Sequence, residues 1–101
     1  MHGTTPRFVN YDVAPVISGR VQPTYLETAR RLGIQGTVIL DIEIFANGSI
    51  GSIEVWESVQ SGPGGLDEEC IRAVRQWVVQ PATANGVPVA IWLRQPFAFR
   101  L

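Results

Sequence analysis

The chain has 101 residues, 46% of them hydrophobic and 17% charged, which is the composition of one ordinary globular domain. Its eight basic residues are all arginines and face nine acids, so the net charge is −1 and we expect no nucleic-acid partner. One cysteine and one histidine exclude an internal disulfide and a Cys/His metal site, and we expect no metal and no cofactor. No apolar stretch is long enough to span a bilayer.

Residues 1–21 contain prolines and no sustained hydrophobic period. This pattern predicts an extended lead-in with a short strand near residues 8–13. A helix is predicted next, at residues 25–32. Its start is marked by Thr24 and Glu27, which have the spacing of a capping box.

From residue 36 to residue 45 the hydrophobic period changes to two, which predicts a half-buried strand. Asn47 and Gly48 then have the composition of a type I′ turn, and a second strand returns at residues 50–58. Four side chains of the first strand are expected to point together into the core: Val38, Leu40, Ile42 and Ile44.

A two-residue loop at this turn determines which residues of the hairpin face each other. One predicted pair, Asp41 with Glu54, brings two carboxylates together and costs stability unless a cation or a bulge intervenes. The other predicted pairs are apolar: Leu40 with Val55, Ile42 with Ile53, and Ile39 with Trp56.

A glycine-rich loop at residues 61–65 precedes a second amphipathic helix, predicted at residues 66–77. Acids occupy its first turn and arginines its later turns, which complements the helix dipole. Glu68 and Arg72 have the favourable order for an ion pair along the helix.

The last predicted element is a strand at residues 89–94, between Pro88 and Pro96. Because prolines in strands belong at edges, we place this strand at the edge of the sheet. The order of the elements predicts an α+β fold, with a three-stranded antiparallel sheet and two helices packed on one face. The first hairpin strand is expected to be central and the last strand to be at the edge.

Three features suggest chemistry, and each has an ordinary explanation. The glycine-rich loop is similar to an anion-binding loop, but the acids that follow it favour a simple helix cap. Asp41 and Glu43 share one strand face and would suit acid–base chemistry, although a solvated face offers them little desolvation. Cys70 lies on the buried stripe of its helix and is expected to be a core residue. We therefore predict that the chain is not an enzyme.

The sheet face away from the helices has no predicted cover, although Ile39, Phe45, Trp56 and Trp92 fall on it. An exposed apolar strip of this kind usually marks an interface. We expect either the lead-in of the same chain or a second copy of the chain to cover it.

A series of short motifs runs from Val21 to the C terminus: Gln22-Pro23-Thr24-Tyr25, Gly33-Ile34-Gln35-Gly36-Thr37-Val38, Asn47-Gly48, Gly65-Leu66-Asp67-Glu68, Ala73-Val74-Arg75-Gln76-Trp77, Pro81-Ala82 and Gly86-Val87-Pro88-Val89. Their ordered set resembles the C-terminal domain of TonB-type energy transducers. Leu26 departs from the proline that the family usually has at this place.

The resemblance implies a lead-in at residues 1–21 and a TonB C-terminal-like domain at residues 22–101. It implies a periplasmic module that upstream sequence anchors in the inner membrane and that a proton-driven motor complex energises. Such a module would bind the TonB box, an extended segment of an outer-membrane transporter, as a strand added beside its own last strand. The expected partner-binding residues are Gln22, Pro23, Tyr25, Val89, Ala90, Ile91, Trp92, Leu93, Arg94 and Gln95.

Two alternatives remain open at this point. The same domain would also suit a docking or sensory role on a membrane sensor-peptidase, without force transmission. A homodimer through the edge strand or through the open sheet face is the second alternative.

Overall fold

The computed structural model describes residues 5–101, which form an α+β fold. The main sheet is antiparallel and three-stranded, in the order β3-β2-β7, so the predicted fold class and the central and edge strands are confirmed. The elements in chain order are β1 (Val16–Gly19), α1 (Glu27–Arg31), β2 (Gly36–Ile44), β3 (Ile50–Glu57), α2 (Leu66–Arg75), β4 (Val78–Gln80), β5 (Ala82–Ala84), β6 (Val87–Val89) and β7 (Ile91–Phe99).

Two small antiparallel sheets, β1-β4 and β5-β6, complete the structure and were not expected. The strand of the lead-in is β1, so its predicted position at residues 8–13 is wrong. Within that range Val13 makes one isolated bridge, to Thr83 of β5. The strand forms later because β4 supplies its backbone partners, and β4 itself was not expected. Residues 1–4 of the lead-in lie outside the described residues.

The core lies between the inner face of the main sheet and α2, which packs over β2 and β3. The predicted row of four β2 side chains is confirmed, since each of them has no exposed surface. Leu66, Cys70 and Val74 of α2 are also fully buried, as their helical spacing predicts. Fully burying an aliphatic side chain contributes about 1.5–3 kcal/mol, so this layer is the main source of stability.

Helix α1 is shorter than expected, and its predicted capping box is wrong. Leu26 is the N-cap residue, and no side chain donates or accepts a capping hydrogen bond there. Glu27 instead lies 3.4 Å from Arg31, an ion pair within the helix. The helix begins two residues later than predicted. Ala29 is buried, whereas Leu32, the C-cap residue, is 75% exposed.

The loop of the β2–β3 hairpin has three residues, so the predicted type I′ turn is wrong. Phe45 accepts a hydrogen bond from the N–H of Gly48 and donates its own N–H to the carbonyl oxygen of Ser49, both at 2.9 Å. Gly48 has φ +87°, whereas Asn47 does not have a positive φ. A three-residue loop of this kind ends in a left-handed residue, which is the place of Gly48.

The central register of the hairpin is nevertheless the predicted one. An irregularity between Ile42 and Ile44 offsets the longer loop, and a second one between Ile39 and Leu40 moves Ile39 opposite Glu57 rather than Trp56. The predicted contact between Ile39 and Trp56 is therefore wrong. Three predicted pairs are confirmed: Leu40 with Val55, Asp41 with Glu54, and Ile42 with Ile53.

A type I′ turn does occur, at Asn85 and Gly86 between β5 and β6. Asn85 has φ +51° and Gly86 has φ +79°, so both central residues are left-handed, as this turn requires. The dipeptide Asn85-Gly86 predicts the end of a loop here, and the structure has a tight hairpin instead.

Helix α2 is tied to the preceding loop by Asp67, which is only 4% exposed. Its carboxylate accepts hydrogen bonds from the N–H of Val59 at 3.0 Å, from the N–H of Gln60 at 3.1 Å, and from the hydroxyl of Ser58. The predicted ion pair from Glu68 is wrong, because Arg72 pairs with Glu69 at 2.8 Å instead. The first turn of α2 therefore binds the preceding loop through Asp67.

The outer face of the sheet, which is the side away from α2, carries buried carboxylates. Asp41 is 8% exposed and Glu43 is fully buried, so the predicted solvated face is wrong for both. Glu43 accepts hydrogen bonds from the N–H of Ser52 at 2.9 Å and from the N–H of Thr5 at 3.2 Å. The lead-in crosses this face, and its cover explains the burial.

Arg7 of the lead-in lies between the facing carboxylates, 2.6 Å from Glu54 and 3.7 Å from Asp41. This is the cation that the like-charge pair requires. The same guanidinium stacks on Trp92 at 3.8 Å from the ring centroid, and the Trp92 indole donates to the carbonyl oxygen of Thr5 at 2.8 Å. The lead-in therefore covers the end of the face at Trp92, whereas Trp56 remains 61% exposed.

Replacing Gly48 by alanine is expected to destabilise the domain more than the same change at Gly86. Both sites impose a left-handed φ, which costs an L-residue about 1–2 kcal/mol. Only at Gly48 would the added Cβ lie 2.4 Å from the carbonyl oxygen of Val79, which adds an overpacking cost of about 1–3 kcal/mol. Urea unfolding of both variants measures the difference, and equal losses would show that the hairpin tip moves away from β4 without cost.

Asp67→Asn is expected to lower the free energy of unfolding by about 1–3 kcal/mol, because the amide keeps only one of the two acceptor oxygens that the three donors use, and that oxygen is uncharged. Glu68→Gln is the control in the same helical turn, since Glu68 is exposed. It loses only its interaction with the helix dipole, about 0.3–1 kcal/mol. Thermal or urea unfolding compares the two, and equal effects would mean that Asp67 acts through the dipole alone.

Candidate partner-binding edge

Strand β7 pairs with β2 along its whole length, from Ile91 opposite Ile44 to Phe99 opposite Gly36. In the part of the chain from residue 5 to residue 101, no strand pairs with its other side, which we call the open edge. A strand edge of this kind presents a row of backbone donors and acceptors to an additional strand.

The strand continues through Pro96, so its predicted end before that residue is wrong. Phe97 and Phe99 are buried in the core, and Ala98 between them is exposed. This alternation after Pro96 is the sequence signal that would have extended the prediction to the correct end. The C-terminal half of the edge is therefore a part of the candidate site that sequence analysis missed.

The predicted partner-binding residues of the last strand divide between two elements. Val89 belongs to β6, where it lies opposite Ala82, and Ala90 lies between β6 and β7. The other five lie together on β7: Ile91, Trp92, Leu93, Arg94 and Gln95.

Pro96 indicates which backbone groups of β7 face the open edge. In an antiparallel pair, residues alternate between positions that bond to the partner strand and positions whose N–H and C=O point away. Pro96 has no N–H and lies opposite Ile39, so it belongs to the second kind. The same alternation directs the N–H groups of Trp92, Arg94 and Ala98 toward the open edge. The edge thus offers three donors, with a gap at Pro96.

Side chains on both faces hold β7 in place before any partner binds. On the inner face, Ile91, Phe97 and Phe99 are buried. On the outer face, Arg94 donates two hydrogen bonds to Asp41, at 2.8 and 3.1 Å, and this contact raises the pKa of the guanidinium. Because the strand is already ordered, an added strand has less conformational entropy to overcome.

Residues 20–25 run beside the C-terminal half of β7. Trp77 holds this segment, since its indole N–H donates to the carbonyl oxygen of Val21 at 2.9 Å. A groove of about 350 Å³ lies between the segment and the strand. It is lined by Arg20, Gln22, Pro23 and Tyr25 on one side and by Pro96, Phe97, Ala98, Phe99 and Arg100 on the other.

Gln22, Pro23 and Tyr25, the other predicted site residues, all line this groove, but they differ in exposure. Gln22 is exposed, whereas Pro23 and Tyr25 are half-buried. The Tyr25 hydroxyl donates to the carbonyl oxygen of Ile34, and its ring meets that of Phe99 edge-on at 5.2 Å. Tyr25 therefore ties the segment to the core, and Gln22 presents the accessible amide.

The described residues 5–101 contain no cluster of three or more His, Cys, Asp or Glu side chains arranged to hold a metal ion. None of the helices in this range has the length and apolar character needed to cross a membrane. The feature of this part of the structure that suits partner binding is the open edge of β7.

Cys70 is fully buried on the inner face of α2, as expected for a core residue. Desolvation is the main cause that raises the pKa of its thiol from 9.0 to about 12, and the carboxylates of Asp67 and Glu69 add to the rise. A thiol held neutral in this way is a poor nucleophile.

The fold and the edge define a small α+β domain with an ordered strand at the edge of its main sheet. The sequence matches the family described as Gram-negative bacterial TonB protein C-terminal over residues 21–101. The chain belongs to this family, as its motifs predict.

Curated relatives support the same assignment. Protein TonB of Vibrio cholerae is 35% identical over 99 residues, which cover 98% of this chain and 40% of that protein. Protein tonB2 of Pseudomonas aeruginosa is 35% identical over 79 residues, 78% of this chain and 28% of that protein. Protein TonB of Xanthomonas campestris matches to the same extent and is covered to 34%. The chain thus spans less than half the length of these relatives.

Because the Cys70 thiol stays neutral in the folded domain, the free energy of unfolding depends on pH in the alkaline range. Its contribution is fully present below pH 9, the ordinary pKa, and is lost as the pH rises toward about 12, because the unfolded thiol ionises first. We expect the free energy of unfolding to fall over this range more steeply than in Cys70→Ala. Alkylation by iodoacetamide near pH 9 should require unfolding, and rapid labelling of the folded protein would contradict the assignment.

Proposed function

We propose that the domain is the periplasmic binding module of a TonB-type energy transducer. In this proposal it engages the TonB box of an outer-membrane transporter by strand addition and transmits work derived from the proton-motive force for substrate uptake. Its role is recognition rather than catalysis. Membership of the TonB C-terminal family supports the proposal.

The open edge of β7 is the observation that carries the proposal. Over nine residues this strand has β2 on one side and, within residues 5–101, no strand on the other. The outward N–H groups of Trp92, Arg94 and Ala98 suit main-chain bonding to an extended peptide. Main-chain hydrogen bonds would supply the affinity, and neighbouring side chains would supply the specificity.

Gln22 and Pro23 extend the proposed contact beyond the strand. A strand added to β7 lies about 4.8 Å from it, within reach of the groove that residues 20–25 border. Gln22 would then contact the partner directly, and Tyr25 would position the segment from its place against Phe99.

The proposed energising partner would contact sequence upstream of this chain. The chain spans 40% of the Vibrio cholerae relative, which supports this placement. We propose that upstream sequence anchors the domain in the inner membrane and contacts a proton-driven motor complex. The domain itself would then meet only the transporter.

A synthetic peptide with the TonB box of a transporter tests the mode of binding. We expect amide chemical-shift changes to concentrate on residues 91–99 and near Gln22. Methylating the peptide N–H groups at every second position should abolish binding for one alternate set and spare the other, because an added strand turns alternate N–H groups toward β7. Changes clustered at residues 62–65, or equal effects of both methylated sets, would contradict strand addition.

Ala98→Pro tests the same edge by changing the protein instead of the peptide. It removes an outward N–H and leaves the bonds to β2 intact, so we expect the domain to fold and the peptide Kd to rise by about 2- to 12-fold, the worth of one hydrogen bond. Ala98→Ser keeps the N–H and is the control. Sedimentation of the protein without peptide shows whether a second copy of the chain occupies the edge. If a dimer forms there, the peptide must dissociate it in order to bind.

A further inference from the structure

The tripeptide Ala-Asn-Gly occurs twice in the chain, at residues 46–48 and at residues 84–86. Asparagine before glycine is chemically labile, because the glycine has no Cβ to shield its backbone nitrogen from the neighbouring side-chain amide. In an unfolded chain the two sites should react at similar rates, since the residues on both sides of each asparagine are the same. A difference between the two sites in the folded domain therefore comes from the structure.

The structure holds both reacting groups of the first site. The side-chain oxygen of Asn47 accepts hydrogen bonds from the N–H of Ser49 at 3.0 Å and from the Ser49 hydroxyl at 2.6 Å. The N–H of Gly48 donates to the carbonyl oxygen of Phe45 at 2.9 Å, and Gly48 packs closely against Val79. These bonds must open before the Asn47 amide and the Gly48 nitrogen can react with each other.

The second site is held less firmly. Asn85 and Gly86 are exposed, and nothing lies within 4 Å of the position that a Cβ on Gly86 would take. Within residues 5–101, the side-chain amide of Asn85 and the N–H of Gly86 make no hydrogen bond. The backbone N–H of Asn85 does donate to the carboxylate of Asp12, at 3.2 Å, but this N–H takes no part in the reaction. The amide and the nitrogen that must meet are both available.

We propose that Asn85 is a site of spontaneous covalent modification, at which the folded domain loses the side-chain amide while Asn47 keeps it. The nitrogen of Gly86 attacks the side-chain carbonyl carbon of Asn85, and the new C–N bond closes a succinimide ring. The side-chain nitrogen leaves as ammonia and takes the proton of the attacking nitrogen.

A water molecule then opens the ring, so the net change is the exchange of an amide for an acid, without oxidation or reduction. Cleavage at the side-chain carbonyl gives aspartate. Cleavage at the main-chain carbonyl gives isoaspartate, in which the backbone continues through the side chain. The proposal is independent of the proposed function.

Both products place a new carboxylate beside Asp12. Residues 12 and 85 line the same cavity of about 220 Å³, together with Asn10, Tyr11 and Ala84, and no arginine is among the described residues that line it. The two negative charges repel each other there without a neighbouring cation.

The modified turn adjoins the place where the lead-in is attached. The N–H groups of Asp12 and Val13 donate to the carbonyl oxygen of Thr83 at 3.0 and 3.1 Å, and the N–H of Thr83 donates to the carbonyl oxygen of Val13 at 3.0 Å. Isoaspartate also inserts a methylene group into a two-residue turn, whose fit to its strands depends on its length. Loss of the Asn85 amide therefore loosens the lead-in from the β5–β6 hairpin.

Incubation of the folded domain at neutral pH, followed by peptide mapping with mass spectrometry, tests the selectivity. The same incubation in guanidinium chloride is the control, and in the unfolded chain we expect both asparagines to react at similar rates. In the folded domain Asn47 should react more slowly than Asn85, by about 2- to 12-fold for each hydrogen bond that must open. Equal rates in the folded domain, faster loss at Asn47, or retention of both amides after the unfolded chain has lost them would overturn the proposal.

Gly86→Ala tests the reacting nitrogen. The added Cβ meets no neighbouring atom, but it shields the nitrogen, so the loss of the Asn85 amide should become slower while the rate at Asn47 stays the same. An unchanged rate at Asn85 would show that Gly86 is not the nucleophile.

Asn85→Asp reproduces the charge of the product and tests its consequence. Hydrogen exchange of the amides of Asp12, Val13 and Thr83 should become about 1.5- to 5-fold faster, the effect of one exposed like-charge contact. Adding Asp12→Asn removes the repulsion and keeps an acceptor, so slow exchange should return. Asn47→Asp is the matched control and should leave these three amides unchanged. Exchange that does not respond to Asn85→Asp, or responds equally to Asn47→Asp, would contradict the proposed loosening.

Discussion

The pairing of β2 on both of its sides is the constraint on which the rest of the domain depends. Its inner row is fully buried under α2, so a shift by one residue would expose the whole row to water. β3 takes one side of β2 through a hairpin, and β7 takes the other through a crossover that contains α2. β7 is therefore held in register along nine residues by a strand whose buried row fixes its position, and within residues 5–101 no strand pairs with its other side.

The hydrophobic periods of neighbouring residues were sufficient to predict the layers of the fold. The alternation in β2 predicted the buried row, the helical spacing of Leu66, Cys70 and Val74 predicted the packed face of α2, and the ordered motifs identified the family. The central register of the hairpin was predicted correctly although its loop and the pairing of Ile39 were not, because the hydrophobic pairs prefer one alignment and local irregularities absorb the extra loop residue. A strong apolar pattern thus outweighed the turn chemistry.

Contacts between distant segments account for what the sequence did not reveal. Glu43 is polar on a strand face that looks solvated, and its burial depends on Thr5, which is 38 positions away. Asn47-Gly48 and Asn85-Gly86 have identical turn residues, yet only the second pair forms a type I′ turn, and Gly48 packs closely against Val79. The groove was not predicted for the same reason, because its two sides, residues 20–25 and residues 96–100, come together only in the folded chain.

The proline within β7 also bears on solubility. An ordered strand with one vacant side is a template on which further copies of a protein can stack into fibrils, and natural sheets protect such sides with proline and charge. Pro96 interrupts the row of donors near its middle, and Arg94 places a cation on the adjacent outer face. A short guest peptide can bond on either side of the interruption, whereas an endless cross-β ladder would repeat the missing bond in every layer. The same residue that leaves the strand one donor short thereby opposes the growth of such a ladder.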